Sequence, residues 1–353
     1  MTEPSDNQRA FVLHEAQQEI RDLSHGPVID VARSGARGVV HALGGPGAYL
    51  MRDPAVPPPA LDPQGKFWLQ TSGTTGAPKW VGHSLGDLTA RIRAGDGEPA
   101  RWLLTFNPGS YAGLQVILSA MLGHHELVAP GGDIADMANA AVDRAVTHIS
   151  GTPTFWRAFL MALGERPLRL KAVTLGGEAA DQALLTALRE RFPEAHLRHI
   201  YATTEAGTVL TVSDGLAGFP AAYLGDDLAV SDGGTLVVKG RDTGDFVELA
   251  GDRVLFRGRV DAMVNIGGVK VFPETVEAHL LQLPCVQETR VTPKPNPITG
   301  HILTADIVLK PFSGDYEALI RAHLAALPRS HRPASIRYVE AIATGATGKK
   351  LRT

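Results

Sequence analysis

The chain has 353 residues, too many for one ordinary core, so a large domain with a smaller companion is expected. Its 44% apolar and 20% charged content is that of a soluble globular protein, and a net charge of −3 excludes strong attraction to nucleic acid or to an anionic membrane. The single cysteine, Cys285, excludes an internal disulfide framework, fits a reducing cytoplasm and lies among apolar neighbours as core packing. No apolar run approaches the ~18 residues of a bilayer span, and Met1–Arg9 lacks the basic-then-apolar pattern of a signal peptide.

In chain order, Phe11, Val12, Ala16, Ile20 and Leu23 fall at helical spacing and predict a helix over 10–24. Residues 41–66 are rich in Gly and Pro, with Pro57-Pro58-Pro59 as the clearest breaker, and read as an irregular connection. The apolar run Phe67-Trp68-Leu69 reads as a strand. Then strands alternate with helices: strand 102–106, helix 112–122, strand 147–150, helix 153–163, strand 170–174, helix 180–192 and strand 197–201. Such alternation indicates a mainly parallel sheet flanked by helices. From about 206 to 259 the pattern turns to short strands with turns such as Ser231-Asp232-Gly233-Gly234, an antiparallel β region. A compact α+β unit follows, with helices near 273–282 and 315–327 and strands near 286–292, 302–309 and 335–340. The fold class is α/β, with a large domain over 1–259 and a small α+β domain over 260–353.

The chemistry concentrates where strands end. Thr71-Ser72-Gly73-Thr74-Thr75-Gly76-Ala77-Pro78-Lys79 follows the first strand. Glycines let the backbone approach an anion, successive N–H groups can form an anion-binding concavity, and hydroxyls and Lys79 add donors and charge. That suits a polyphosphate. The spacing is not that of the usual nucleotide P-loop, because Ala77-Pro78 separates Gly76 from Lys79 and Trp80 stands where Ser or Thr is needed. Gly176-Gly177-Glu178 closes a later strand, where open α/β sheets bind ligands, although a plain strand-to-helix turn has the same composition. Tyr201-Ala202-Thr203-Thr204-Glu205 ends the next one. It offers an aromatic for stacking, a hydroxyl for a phosphate oxygen and a carboxylate suited to Mg²⁺. In Asp242-Thr243-Gly244-Asp245, Asp245 could accept from two ribose hydroxyls or simply belong to a β-turn. His83, His124 and His125 read as structural, as lone histidines usually are.

This ordered set resembles the adenylate-forming superfamily, which includes acyl-CoA synthetases and the adenylation domains of peptide synthetases. The resemblance runs over about 67–353. It implies that Thr71, Ser72, Gly73, Thr74, Thr75, Gly76 and Lys79 hold the β- and γ-phosphates of ATP. Gly177, Glu178 and Tyr201 would frame adenine, Thr204 an α-phosphate oxygen and Glu205 the Mg²⁺. Gly258-Arg259-Val260-Asp261 is similar to the family's Gly-Arg-x-Asp, so Arg259 joins Asp245 at the nucleotide and Asp261 becomes the interdomain hinge. Gly267 and Gly268 match the loop lining the thiol tunnel, with Asn265 in place of the usual Lys. Thr347-Gly348-Lys349 matches the terminal Gly-Lys, which makes Lys349 the catalytic lysine, with Lys350 the alternative if the register slips by one.

Two departures stand out. Ala202 replaces a family glycine and narrows the acyl pocket, and only 70 residues precede Thr71, so an abbreviated N-terminal region is expected. The segment Asn107 to Gly113 follows a strand and is expected to meet the substrate, with Tyr111, Gly113 and Ala202 in the acid pocket; a short or aromatic acid fits better than a long chain. The implied activity is ATP-dependent activation of a small carboxylic acid as acyl-AMP, with Mg²⁺, followed by transfer to CoA. Two other readings stay open: loading of an acyl carrier protein through its phosphopantetheine, and a non-catalytic nucleotide-binding relative. A cytoplasmic enzyme is expected, with neither nucleic acid nor membrane as partner.

Overall fold

The computed structural model describes residues 11–15, 28–60, 62–70, 79–92 and 99–342. The chain divides into two compact units. One takes in the described residues up to Glu178 together with Leu188–Ser213; the other takes in Ala179–Ala187 and the described residues from Asp214 onward.

The first unit is built on two sheets. Among the described residues the larger has seven strands, ordered Val12–Glu15, Glu126–Ala129, Arg101–Leu103, His148–Gly151, Ala172–Gly176, His196–Thr203 and Gly207–Val212. All neighbours pair in parallel except the last two, which form an antiparallel hairpin. The helices between them begin where the sequence supplies caps. Thr152 accepts from the Phe155 amide at 3.0 Å ahead of Pro153–Leu163, which carries Pro at its first position. Ser110 accepts from the Gly113 amide at 3.0 Å ahead of Tyr111–Leu122. The smaller sheet runs Val28–Asp30, Ala48–Met51, Phe67–Gln70 and Trp80–His83, parallel until its last, antiparallel pair. Its apolar face packs with Tyr111–Leu122 in one core that includes Leu50, Phe67, Leu69, Leu114 and Ile117.

The second unit is antiparallel where the composition said so. Phe219–Pro220, Arg253–Arg259, Arg241–Ala250, Thr235–Val238 and Leu228–Val230 lie side by side in one sheet. Beyond it, Val286–Asn296, Gly300–Leu309 and Ser335–Tyr338 form a three-stranded sheet packed with the helices Pro273–Leu280 and Tyr316–Leu324 around a core that contains Cys285. The two helices are also tied by paired imidazoles. His279 and His323 stack with ring centroids 3.8 Å apart, and the Nε2 of each bonds the other's carbonyl at 3.0 and 2.9 Å.

Two expectations change. The helix over 10–24 is a strand at Val12–Glu15; pairing with Glu126–Ala129 outweighs the local helical spacing, and 16–27 lie outside the described residues. The irregular connection over 41–66 contains the strand Ala48–Met51, whose Ala-Tyr-Leu run is buried between two neighbours. A helix at Val31–Leu43 has no counterpart in the reading. It carries Gly35 at φ 57°, a break filled by the Glu15 carboxylate, which accepts from the Ala36 amide at 2.8 Å. No helix among the described residues is long and apolar enough to cross a membrane.

Candidate active site

Thr71, Ser72, Gly73, Thr74, Thr75 and Gly76 lie outside the described residues, as do Lys349 and Lys350. The frame around the first loop is well defined. It joins Phe67–Gln70 to Trp80–His83, two strands paired antiparallel from Phe67↔His83 to Gln70↔Trp80. Gln70, only 2% exposed, fixes the last residue before the loop. Its carboxamide oxygen accepts from the amides of Arg52 and Asp53 at 2.7 and 2.8 Å, and its nitrogen donates to the carbonyls of Asp53 and Val56 at 2.9 and 3.0 Å. All four of its hydrogen-bonding sites are thereby used. The Arg52 guanidinium donates to the Gln70 carbonyl, and burial pushes its pKa down against the pull of Asp53. Gln70 and Arg52 escaped the sequence reading because neither lies inside the loop they brace.

On the far side, Lys79 is exposed and Trp80 donates from Nε1 to the Pro57 carbonyl at 2.9 Å while meeting Tyr49 edge-on at 5.4 Å. The residue that replaces the Ser or Thr of an ordinary P-loop is therefore a packing residue. Four positions beyond Lys79 the strand delivers His83 to the turn after Tyr201. Its ring is 9% exposed, and its Nε2 has no hydrogen-bond partner among the described residues. Burial pushes the imidazole pKa below its ordinary value, against a main-chain hydrogen bond with Thr204 and the charges of Asp87 and Glu205. The ring is thus neutral at pH 7. Its centroid lies 5.8 Å from that of Tyr111.

The turn itself follows a bulge. Between Tyr201 and Ala202 the pairing with Gly207–Val212 slips, so that Tyr201 faces Leu210 but Ala202 faces Thr208. Such a bulge re-aims side chains at a strand end. The Thr203 hydroxyl accepts from the Ala206 amide at 3.0 Å and closes the turn, leaving Thr204 half-buried and Glu205 exposed. Gly207 sits at φ +68°, and a Cβ there would lie 2.8 Å from the Tyr111 hydroxyl. Tyr111, His83, Thr204 and Gly207 therefore share one corner of the first unit. At Gly113 a Cβ would lie 2.1 Å from the Asn107 carbonyl oxygen, so close packing demands the glycine.

At the end of the neighbouring strand, Gly177 has φ +81°. The Glu178 carboxylate accepts from the Thr154 amide and hydroxyl at 3.1 and 2.7 Å, anchoring the start of Pro153–Leu163. Glu178 thus has a structural task.

In the second unit, Asp245 and Arg259 are directly paired across the sheet. Arg259 donates to the Thr243 carbonyl at 3.1 Å, to Asp245 at 3.2 Å, and to both Asp261 oxygens at 3.0 and 3.3 Å. The expected ribose pair and the expected hinge are therefore one network. Gly267 and Gly268, at φ +58° and +89°, form the two-residue turn of the hairpin Val264–Ile266 and Val269–Val271. The Asn265 side chain accepts from the Gly268 amide at 2.8 Å, a turn-stabilising role for the residue that replaces the family lysine. Gly267 also borders a cleft of about 510 Å³ lined by Ile266, Val269, Leu303, Arg329 and Arg332.

No group of three or more His, Cys, Asp or Glu residues among the described residues forms a metal cage. A lone exposed carboxylate such as Glu205 still fits Mg²⁺, which commonly takes one or two carboxylates and completes its shell with water and substrate phosphates.

A fold of helices over a mainly parallel sheet, with glycine- and hydroxyl-bearing segments at the strand ends, defines a nucleotide-binding α/β enzyme class. Residues 5–241 match the model of the AMP-binding enzyme family, and the chain belongs to that family. It is 26% identical over 334 residues to the 2-succinylbenzoate–CoA ligase of Bacillus pumilus, covering 80% of this chain and 67% of that one. To the benzoate–CoA ligase of Thauera aromatica it is 27% identical over 345 residues, covering 80% and 64%. Among solved structures, E. coli MenE with bound OSB-AMS superposes with a TM-score of 0.61 at 22% identity, covering 79% and 66%. The anthranilate–CoA ligase AuaEII with anthranoyl-AMP gives 0.61 at 22%, covering 84% and 68%. The chain spans about two thirds of the length of these relatives.

Proposed function

We propose that this protein activates a small carboxylic acid with ATP and passes the acyl group to CoA. The observation that carries this reading is the frame of the phosphate loop: the strand leaving it runs directly to the Thr204–Glu205 turn, in a chain of the AMP-binding family. The relatives that act on 2-succinylbenzoate and benzoate support an aromatic or short acid.

In the first half-reaction a carboxylate oxygen attacks the α-phosphorus and pyrophosphate leaves, giving acyl-AMP. In the second a thiol sulfur attacks the acyl carbon, loses its proton and expels AMP. The protein contributes position and charge. Thr71 to Gly76 and Lys79 would hold the β- and γ-phosphates, with Thr204 on an α-phosphate oxygen. Gly177 and Tyr201 would frame the base, with Glu178 fixed on Thr154 beside them, and Asp245 with Arg259 would take the ribose. Lys349 would offset charge between the carboxylate and the α-phosphate. Mg²⁺, held at Glu205, would screen the phosphates. Asp261 would be the pivot of a domain alternation, a motion that needs the Arg259 network to re-form in each state.

CoA is favoured over a carrier protein by the cleft beside Gly267. It has apolar walls for a pantetheine arm and, in Arg329 and Arg332, cations for a phosphate, although Arg332 also donates to the carbonyls of Leu327 and Ala325 at 2.8 and 2.7 Å. The test is pyrophosphate release with a panel of carboxylic acids, with and without CoA. Acid-dependent release with CoA-dependent thioester is expected; release without any thioester would redirect the acceptor to a carrier, and no release with any acid would sink the enzyme reading.

A further inference from the structure

The turn at Gly267 and Gly268 is exposed, and it joins two strands of only three residues each, Val264–Ile266 and Val269–Val271. A two-stranded ribbon that short has little hold on its own shape, and a glycine pair at its turn weakens that hold further. Within the ribbon, the Asn265 carboxamide accepts from the Gly268 amide. A second hold comes from outside it. The Gly267 amide donates to the Thr299 carbonyl at 2.9 Å. A Cβ on Gly267 would stand 3.8 Å from the Thr299 methyl, and one on Gly300 would stand 3.6 Å from the Asn265 carbonyl oxygen. The turn therefore leans on the tip of the long hairpin Val286–Asn296 and Gly300–Leu309.

That tip owes its shape to one side chain. Pro297, Ile298 and Thr299 form a three-residue loop between the paired Asn296 and Gly300, and Gly300 takes the left-handed position at φ +77°. The Asn296 Oδ1 accepts from the amides of Ile298 and Thr299 at 2.9 and 3.0 Å. An asparagine side chain bonded to its own backbone in this way mimics a main-chain turn. The Thr299 hydroxyl donates to the His301 carbonyl at 2.6 Å and fixes the same residue again. Thr299 also lines the cleft beside Gly267, together with Ile266, Val269, Leu303 and Arg329. Asn296 is thus two hydrogen bonds removed from the glycine turn: it sets Thr299, and Thr299 sets Gly267.

We propose that Asn296 is a positioning residue for the thiol half-reaction, holding Thr299 so that the Gly267–Gly268 turn is already in place when the acceptor thiol arrives. The proposal rests on the CoA reading and deepens it, by naming what keeps the thiol-side turn in shape. Tip and turn both follow Asp261 in the chain, so they travel together in any swing about that residue. The brace should therefore act on the thiol step and leave adenylation alone. Without it the glycine pair samples many conformations, and CoA binding bears the cost of ordering them.

The test uses the full chain and whichever of benzoate, 2-succinylbenzoate and a set of short acids gives the fastest ATP–pyrophosphate exchange. Exchange reads adenylation, and CoA-dependent thioester formation reads the second step. Asn296→Ala should raise the KM for CoA roughly 5- to 20-fold, while exchange stays within about twofold of wild type. Asn296→Asp keeps the accepting oxygen and should restore most of the wild-type KM. Amide hydrogen exchange gives a readout that needs no activity. The Gly267 amide should exchange faster in Asn296→Ala, while the Val291 amide, bonded to Glu277 in the core, should not change. Undiminished protection of Gly267 in that variant would show that there is no brace. Lost protection with an unchanged KM for CoA would show that the placement of the turn is irrelevant to the thiol. Equal loss in both assays without rescue by Asn296→Asp would reduce Asn296 to a structural residue. Each of these results overturns the proposal and leaves the CoA reading standing. Wild-type exchange with no thioester on CoA overturns the CoA reading and this proposal together, and exchange with none of the acids overturns the adenylation reading as well.

Discussion

At the His83 corner a buried nitrogen has no partner among the described residues, whereas in the second unit the Arg259 guanidinium donates to Thr243, Asp245 and Asp261. The C-terminal sheet repeats the second pattern: Asp306, 7% exposed, accepts from Arg290 and Arg337 at 2.7 and 2.8 Å. Polar groups that complete one another hold a shape. The contrast between the two corners can be tested at several points.

The largest expected effect lies at the tail. Lys349→Ala should lower acyl-adenylate formation by roughly 10²–10³, yet leave thioester formation from supplied acyl-adenylate near the wild-type rate. Normal adenylation by this variant would remove Lys349 from the reaction. Next comes the C-terminal sheet. Asp306→Ala should destabilise the protein by about 3 kcal/mol in chemical denaturation, because Arg290, itself largely buried, loses its counter-charge. Burial alone would raise the Asp306 pKa; the hydrogen bonds and charges of Arg290 and Arg337 outweigh it and hold the carboxylate below its ordinary value. Its contribution to stability is therefore full above about pH 4, the unfolded value, and is lost as pH falls through the lower folded value. Asp306→Asn should flatten that acid limb, and an unchanged limb would show that the triad is not its source.

The turn at Gly207 comes next. At φ +68° with the Tyr111 hydroxyl overhead, Gly207→Ala should cost about 1–2 kcal/mol and raise the KM for the acid more than that for ATP. Equal rises would place Tyr111 outside the acid pocket. The smallest stability effect belongs to Asp261→Asn, at most about 1 kcal/mol, since the Arg259 side chain is 36% exposed and solvent screens the pair. If Asp261 is the pivot, its mark will appear in the balance between the two half-reactions.

Much of the fold was legible because strands and helices alternate along the sequence. Pro153–Leu163 was bounded as expected, and the structure adds the Thr152 cap at its start. The glycine-rich turns at Gly177 and Gly267 were legible because they need positive φ. The N-terminal strand was not. Phe11 and Val12 fit a helix locally, and only the distant edge at Glu126 makes Val12–Glu15 a strand.

The carboxylate at Glu15 has a consequence for engineering this chain. It plugs the interruption in Val31–Leu43, which otherwise comprises two stubs each too short to persist alone. Trimming the leader past Val12, or neutralising Glu15, should therefore loosen a helix that begins sixteen residues downstream and, through Gly109 packed on Val31, unsettle the segment that presents Tyr111.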